Sequence, residues 1–162
     1  MYKSKKDFYF KLIFTISLVS IISAYFIEYV LGHQPCNLCL IERFPYVLSI
    51  ILITLNYISK KYEKFMVILL TLIFIISFLV SFYHFGIEQG FFEESVVCGS
   101  KNTSGVLTKE ELLKQLEVKT INCKDVTFKI FGFSLTTLNI FINSILIIML
   151  FKIFKNYEII KK

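Results

Sequence analysis

Four cysteines are the residues of this sequence with the most distinctive chemistry. Cys36 and Cys39 form a C-x-x-C motif, whereas Cys98 and Cys123 lie far apart along the chain. A disulfide within C-x-x-C closes so short a loop that it removes little entropy from the unfolded chain, so it is a poor structural staple. The same spacing suits a reversible dithiol. The sequence therefore predicts redox chemistry at Cys36 and Cys39.

A zinc site built from the four thiolates is the main alternative, because C-x-x-C followed by two further cysteines is also a metal-binding spacing. Structural zinc sites usually have a second close pair of ligands or a nearby histidine, and Cys98 and Cys123 form no such pair. The spacing therefore favours two disulfides, and we expect no metal. A widely spaced pair such as Cys98 and Cys123 is, by itself, typical of a disulfide that staples a loop.

Arg43 is the charged residue placed best to assist the C-x-x-C pair. It follows Cys39 by four residues, so on a helix the guanidinium group and the thiol share a face, and the cation would favour a Cys39 thiolate. Asn37 is a candidate N-cap of that helix, and the helix amino end would stabilise the same thiolate. Glu42 is expected to face elsewhere. The alternative for Arg43 is that its side chain extends to the lipid headgroups.

His84 and Glu88 are weaker candidates for the same site. They lie four residues apart near the outer end of an apolar segment, and this spacing places them on one helix face. The simpler interpretation is that both are polar residues of the membrane interface.

Four apolar segments must position these residues, and each is long enough to cross a bilayer as a helix. They cover residues of about 8–30, 40–58, 65–85 and 134–154. Hydrophobic residues make up 56% of the 162 residues, more than a soluble domain of this size could bury. A cleaved signal peptide is disfavoured, because the first segment is too long and no small-residue cleavage site follows it. We predict an all-α integral membrane protein whose single domain, 1–162, is a four-transmembrane-helix bundle.

The lysines indicate the orientation of this bundle. By the positive-inside rule, the side that carries eleven lysines is cytoplasmic and holds both termini. The long loop at about 86–133 and all four cysteines then lie on the outer side, where disulfides persist. Because the lysines lie at segment ends rather than in a stripe with aromatic residues, nucleic-acid binding is not expected. The eleven are Lys3, Lys5, Lys6, Lys11, Lys60, Lys61, Lys64, Lys152, Lys155, Lys161 and Lys162.

The outer loop contains one helical signal. Thr108 and Glu111 form a capping box, and Leu112, Leu113 and Leu116 then fall on one face. The sequence predicts a short amphipathic helix at 107–116 that lies either on the membrane surface or against the protein.

Residues 34–46, which read Gln-Pro-Cys-Asn-Leu-Cys-Leu-Ile-Glu-Arg-Phe-Pro-Tyr, resemble the P-C-x-L-C-x-x-x-R pattern of the disulfide bond formation protein B (DsbB) family. The loop cysteines and the Phe-Gly-Phe-Ser-Leu stretch at 131–135 fit as well, so the resemblance covers nearly the whole chain. The vitamin K epoxide reductase family shares the bundle and the chemistry, but it places its C-x-x-C after the loop pair. This sequence has it before.

The resemblance implies an enzyme of the bacterial inner membrane that reoxidises a periplasmic DsbA-like protein of the thioredoxin fold. It also implies a membrane quinone, ubiquinone or menaquinone, as electron acceptor. Cys98 and Cys123 match the pair that exchanges with the partner, and Cys36 and Cys39 match the pair coupled to quinone. Arg43 matches the family arginine near the quinone. The polar third-helix residue that some members place there has no secure match.

The resemblance also implies an order for the exchange. Cys98 would react with the partner first and remain outward, and Cys123 would then attack Cys36. Cys36 is expected to lie nearer water than Cys39, which would leave as the thiolate beside Arg43. A non-enzymatic membrane bundle with four structural cysteines is the alternative function.

Overall fold

The computed structural model describes residues 2–93, 98, 123–124, 128–130 and 132–160. The described residues form the helices α1 (Tyr2–Tyr29), α2 (Asn37–Ile58), α3 (Glu63–Glu88) and α4 (Leu135–Ile160). A 3-10 turn at Lys60–Tyr62 joins α2 to α3, and the strands β1 (Lys129–Ile130) and β2 (Phe133–Ser134) precede α4. The loop helix predicted at 107–116 lies outside the described residues.

Each of the four helices contains a stretch long and apolar enough to cross a membrane: Lys6–Tyr29, Asn37–Ile58, Glu63–Glu88 and Leu135–Lys155. The prediction of four spanning helices is confirmed. The helices pack in chain order around a ring, with α1 on α2, α2 on α3, α3 on α4 and α4 back on α1. Many large apolar side chains remain exposed on the outer faces, which suits a bundle covered by lipid tails that are as apolar as leucine.

The two halves of the bundle differ in chemistry. The half that holds the start of α1 and the end of α4 is filled by apolar side chains, and an ion pair of 2.6 Å between Lys6 Nζ and Glu63 Oε1 links α1 to α3 at that end. The opposite half contains buried polar groups from α2, α3 and α4. The larger cluster of buried apolar side chains consists of Phe10, Ile13, Tyr46, Leu52, Ile53, Val67, Leu70, Phe74, Leu146, Met149, Leu150 and Ile153.

Two helix boundaries determine which residues reach the polar half. α2 begins at Asn37 and continues through Pro45, so this proline does not mark the start of the helix. α3 ends at Glu88 with Gln89 as its C-cap, and Gly90 follows with a φ of 78°, in the left-handed region that favours glycine. The amino end of α2 and the last turn of α3 therefore lie at the same end of the bundle.

The small hairpin connects the outer loop to α4. β1 and β2 pair antiparallel, with Lys129 opposite Ser134 and Ile130 opposite Phe133. Gly132, with a φ of 86°, supplies the left-handed residue of the turn between them. This hairpin brings Ser134 to the first turn of α4, beside the end of α3.

Candidate active site

The C-x-x-C motif forms the amino end of α2. Cys36 is the N-cap, and its sulfur accepts a hydrogen bond of 3.3 Å from the backbone N–H of Cys39. The prediction of Asn37 as N-cap is therefore wrong, since the cysteine sulfur takes the place of the usual oxygen acceptor. The sulfur atoms of Cys36 and Cys39 are 3.0 Å apart, and both residues are free thiols.

The two thiols differ in exposure, and the difference is opposite to the one predicted. Cys36 is only 7% exposed, whereas Cys39 is half-buried. Cys36 precedes α2 but faces inward, because its sulfur caps the helix and contacts α3. The position of a residue along a helix gives its depth in the membrane but does not give its exposure.

His84 is the contact of Cys36 on α3. Its Nε2 lies 3.5 Å from the Cys36 sulfur, and its Nδ1 lies 2.9 Å from Glu42 Oε1. The ring is 1% exposed, so His84 is not a polar residue of the membrane interface. A carboxylate, an imidazole and a thiol thus form a chain of contacts inside the bundle.

Glu88 is joined to His84 through α4. The Thr136 hydroxyl donates a hydrogen bond of 2.6 Å to Glu88 Oε1, and its oxygen lies 3.3 Å from His84 Nδ1. Ser134 donates a second bond of 2.6 Å to the other carboxylate oxygen. The structure therefore brings His84 and Glu88 together at one site.

Further polar side chains hold Glu42 from across the bundle. Asn139 Nδ2 on α4 donates to Glu42 Oε2 at 2.9 Å and to the hydroxyl of Ser81 at 2.8 Å. The Tyr46 hydroxyl donates to Oδ1 of Asn139. A buried carboxylate is costly unless it is hydrogen-bonded, and these contacts satisfy it.

Arg43 contacts α1. Its guanidinium group is paired with the carboxylate of Glu28 and lies over the ring of Tyr25, 5.2 Å from the ring centroid. The sequence predicted a cation close to the Cys39 thiol, but Arg43 is paired with Glu28 of α1. Helical spacing does not show which residues of two different helices pair.

The loop cysteines are bonded to each other. Cys98 and Cys123 form a disulfide with a Cα–Cα distance of 5.3 Å, and it packs in one buried cluster with Cys36, Leu38 and Ile87. Of the two disulfides predicted, this one is present and the C-x-x-C pair is reduced. Cys98 and Cys123 are 2% and 3% exposed, so Cys98 does not face outward as predicted.

The thiol pair and His84 also require a test as a metal site. Cys36, Cys39 and His84 place three possible ligand atoms within 4.8 Å of one another. Two sulfurs on one tetrahedral zinc ion would be roughly 3.8 Å apart, farther than the 3.0 Å between these two. The sulfur–sulfur contact therefore favours a redox pair.

Cys36 is the acidic thiol of the pair. Its hydrogen bond with the Cys39 thiol is the largest cause that lowers its pKa to about 4, and the imidazole of His84 and the Cys39 N–H lower it further. Burial acts in the opposite direction but does not prevail. A thiol with this pKa is a thiolate at neutral pH, both a nucleophile and a good leaving group.

A cavity of about 330 Å³ opens beside the two thiols, between α1, α2 and α4. Apolar residues such as Val19, Ile27 and Ile142 form much of its wall. The polar groups at its outer end include Cys36, Cys39, Arg43, His84, Glu88 and Cys123. Every candidate site residue except Cys98 thus lines this one cavity.

Sequence reasoning missed the residues that complete the polar network, namely Glu42, Thr136, Asn139 and Glu28. A signal was available for Glu42, because an ionisable residue inside a span usually has a functional partner. Thr136 and Asn139 gave no such signal, since uncharged polar residues are common in spanning helices.

Comparisons with known proteins give a family match and a similar protein. The family model described as "Disulfide bond formation protein DsbB" matches residues 6–153, nearly the whole chain. A curated protein of Rickettsia prowazekii (strain Madrid E), described as "Uncharacterized protein RP370", is 32% identical over 151 residues, which cover 90% of this chain and 88% of that protein. No solved structure matches the chain.

Proposed function

Since the chain belongs to the DsbB family of disulfide bond formation proteins, we propose that it oxidises the dithiol of a periplasmic DsbA-like protein and delivers the electrons to membrane quinone. Family membership and the four spanning helices make it a membrane protein of disulfide bond formation. The proposal of electron transfer from partner to quinone rests on one observation. The loop disulfide and the C-x-x-C pair lie in a single cluster beside a cavity. We place the protein in the bacterial inner membrane with both termini in the cytoplasm.

The cavity suits a quinone headgroup. Ligand sites of about 300–1,000 Å³ with apolar walls and a few polar groups are typical of small-molecule binding, and the cavity of about 330 Å³ lies at the lower end of that range. Arg43 would hold a carbonyl oxygen, and apolar residues such as Ile142 would contact the ring. Bound ubiquinone or menaquinone would supply the acceptor for two electrons and two protons.

A series of thiol–disulfide exchanges brings the electrons to the C-x-x-C pair. A thiolate of the partner attacks Cys98 and releases Cys123, which then attacks Cys36 of the oxidised pair. This attack releases Cys39 as a thiolate. The second thiolate of the partner then attacks the mixed disulfide and releases Cys98, which attacks Cys123 and restores the loop disulfide. Cys36 leaves as a thiolate in this last exchange, a role that the polar contacts around its sulfur support. The partner dithiol has then become a disulfide, and its two electrons reside on Cys36 and Cys39.

The position of Cys123 supports this order. Cys123 lines the same cavity as Cys36 and Cys39, whereas Cys98 is not among the residues of its wall. Because both loop cysteines are buried, the cluster must open before a partner reaches Cys98. We expect the partner to induce this opening when it docks on the outer loop.

Trapping of the mixed disulfide tests the assignment. In Cys123→Ser, the free Cys98 thiolate should attack the disulfide of an oxidised thioredoxin-fold partner and hold it as a mixed disulfide, because the loop thiol that would resolve this bond is missing. Peptide mass analysis maps the bond, and Cys98→Ser is the matched control that should trap none. Trapping through Cys123 would reverse the order, and trapping through neither would contradict the proposed partner exchange.

A further inference from the structure

The contacts around His84 determine which of its ring nitrogens carries the proton. Nδ1 lies 2.9 Å from Oε1 of Glu42, and a carboxylate can only accept. Nδ1 also lies 3.3 Å from the Thr136 hydroxyl, whose own proton is donated to Glu88. Thr136 therefore offers Nδ1 a lone pair. Both neighbours require a proton on Nδ1, which leaves Nε2 of the neutral ring as an acceptor.

The free nitrogen faces the thiol. His84 Nε2 lies 3.5 Å from the Cys36 sulfur, within the range of a hydrogen bond to sulfur, and the contact is buried. Enzymes commonly activate a nucleophile by placing a base beside it and a carboxylate that orients the base. Cys36, His84 and Glu42 are arranged in this order. In the exchange described above, the His84 contact only supports the departing Cys36 thiolate, and no proton transfer is assigned to His84 or Glu42.

We infer that His84 is the general base for Cys36, and that Glu42, Thr136 and Glu88 are positioning residues that fix the ring tautomer. When Cys36 is protonated in the reduced pair, its S–H bond breaks and an N–H bond forms at His84 Nε2. No electron moves in this step. The Glu42 carboxylate faces the imidazolium ion that results, so the buried group of Cys36, His84 and Glu42 keeps its net charge.

The step has a place in the proposed function, on which the inference depends. Restoring the C-x-x-C disulfide from the two thiols would form the Cys36–Cys39 bond while bound quinone accepts two electrons and two protons, and the Cys36 thiolate is the form that can act as the nucleophile. A base beside Cys36 keeps this residue in the thiolate form after the exchange with the loop pair has released it. Cys39 has no comparable base among the described residues.

The electrostatic surroundings are defined on each side of the ring. Cys39 and Glu42 face it from α2, and Glu88 is linked to it through Thr136 of α4. On the α1 side, the Arg43 charge is paired with Glu28. The other titratable or redox groups of the cavity wall are His33 and the disulfide-bonded Cys123.

Alkylation of Cys36 tests the inference without quinone or partner. In full-length Cys39→Ser protein with the loop disulfide intact, Cys36 is the free thiol, and its rate with iodoacetamide over a pH series reports its thiolate fraction. We expect half-maximal reactivity well below pH 8.5, the ordinary thiol value. His84→Gln retains the size and polarity of the side chain but cannot take up a proton. It should move the pH of half-maximal reactivity upward by about one unit or more, because the side chain can no longer accept the thiol proton.

Two further variants separate proton transfer from structure. Glu42→Gln should move the pH of half-maximal reactivity in the same direction by a smaller amount. This variant is used for the test if His84→Gln does not fold. Thr71→Val removes a hydroxyl on α3 that donates to the Val67 carbonyl one turn away, and it should leave the profile unchanged. An unchanged profile in His84→Gln, or in Glu42→Gln if only that variant folds, would overturn the inference. The alkylation assay does not involve quinone turnover. A failure of the inference about His84 can therefore be distinguished from a failure of the proposed function.

Discussion

Arg43 is the only arginine in the sequence, and two residues of α1 fix its guanidinium group at the cavity wall. Glu28 pairs with it, and Tyr25 lies beneath it. A buried cation is costly in a membrane unless it has a partner. The pair keeps the charge at the cavity and restricts the side chain, which argues against free extension to the headgroups.

Arg43→Ala should weaken quinone binding and leave partner exchange intact. Loss of one charged hydrogen-bond donor is expected to raise the quinone KM about tenfold, or about 1.4 kcal/mol. The exchange between partner and loop pair, followed in the absence of quinone, should proceed at its normal rate. Glu28→Gln is the control that retains the cation. An unchanged quinone KM in Arg43→Ala would leave the arginine with a structural role only.

At the residue scale, the sequence identified the cysteines, Arg43 and the shared face of His84 and Glu88, because residue type and helical spacing were sufficient. It did not identify Glu42 as the partner of His84. Spacing shows that Glu42 and Arg43 point in different directions, but it does not show which helix lies opposite each one.

The packing at the last turn of α3 depends on the absence of a side chain at Gly86. The ring of Phe92 folds back over Gly86, where an added Cβ would lie 2.1 Å from Phe92 Cδ2. Phe92 also stacks on Tyr83 with 5.6 Å between ring centroids. The carbonyl of Gly86 accepts bonds from the backbone N–H groups of Phe91 and Phe92. This contact turns the chain back at the end of α3.

Gly86→Ala should displace the Phe92 ring and lower the free energy of unfolding by about 1–3 kcal/mol, the usual cost of overpacking. Denaturant titration in detergent measures the change. In a Phe92→Ala background the ring is absent, so the same substitution should cost much less. Equal costs in the two backgrounds would show that Phe92 does not occupy this position.

At the element scale, the sequence predicted the number and approximate extent of the spans, since hydropathy over about twenty residues is a strong signal. It could not predict how each helix is rotated within the bundle. The helices are apolar on most faces, and lipid and core are equally apolar, so hydropathy does not distinguish the inner face. The contacts of Thr136 and Asn139 with α2 and α3 depend on that rotation.

The orientation of the whole molecule is predicted by the lysines and can be measured in intact cells. In a cysteine-free background, a membrane-impermeant maleimide should label Lys124→Cys but not Lys61→Cys from the outside. Both positions should react after the membrane is dissolved, which is the control for reactivity. Labelling of Lys61→Cys from outside would contradict the topology and the periplasmic location of the cysteines.

At the scale of the whole molecule, the proposed function requires an exchange site on the outer side and an electron acceptor inside the membrane. The loop disulfide and the C-x-x-C pair lie in one cluster, and the cavity extends from that cluster between α1, α2 and α4. This arrangement allows a water-soluble dithiol and a lipid-soluble acceptor to be served by one bundle.

Quinone reduction in proteoliposomes tests this claim most directly. The protein is reconstituted with ubiquinone or menaquinone, a reduced thioredoxin-fold protein is added outside, and quinol and partner disulfide are measured together. We expect equal amounts of quinol and partner disulfide, and we expect both products to be lost when Cys36 and Cys39 are replaced by serine. Partner oxidation without quinol, or quinol formation that persists in the serine variant, would contradict it.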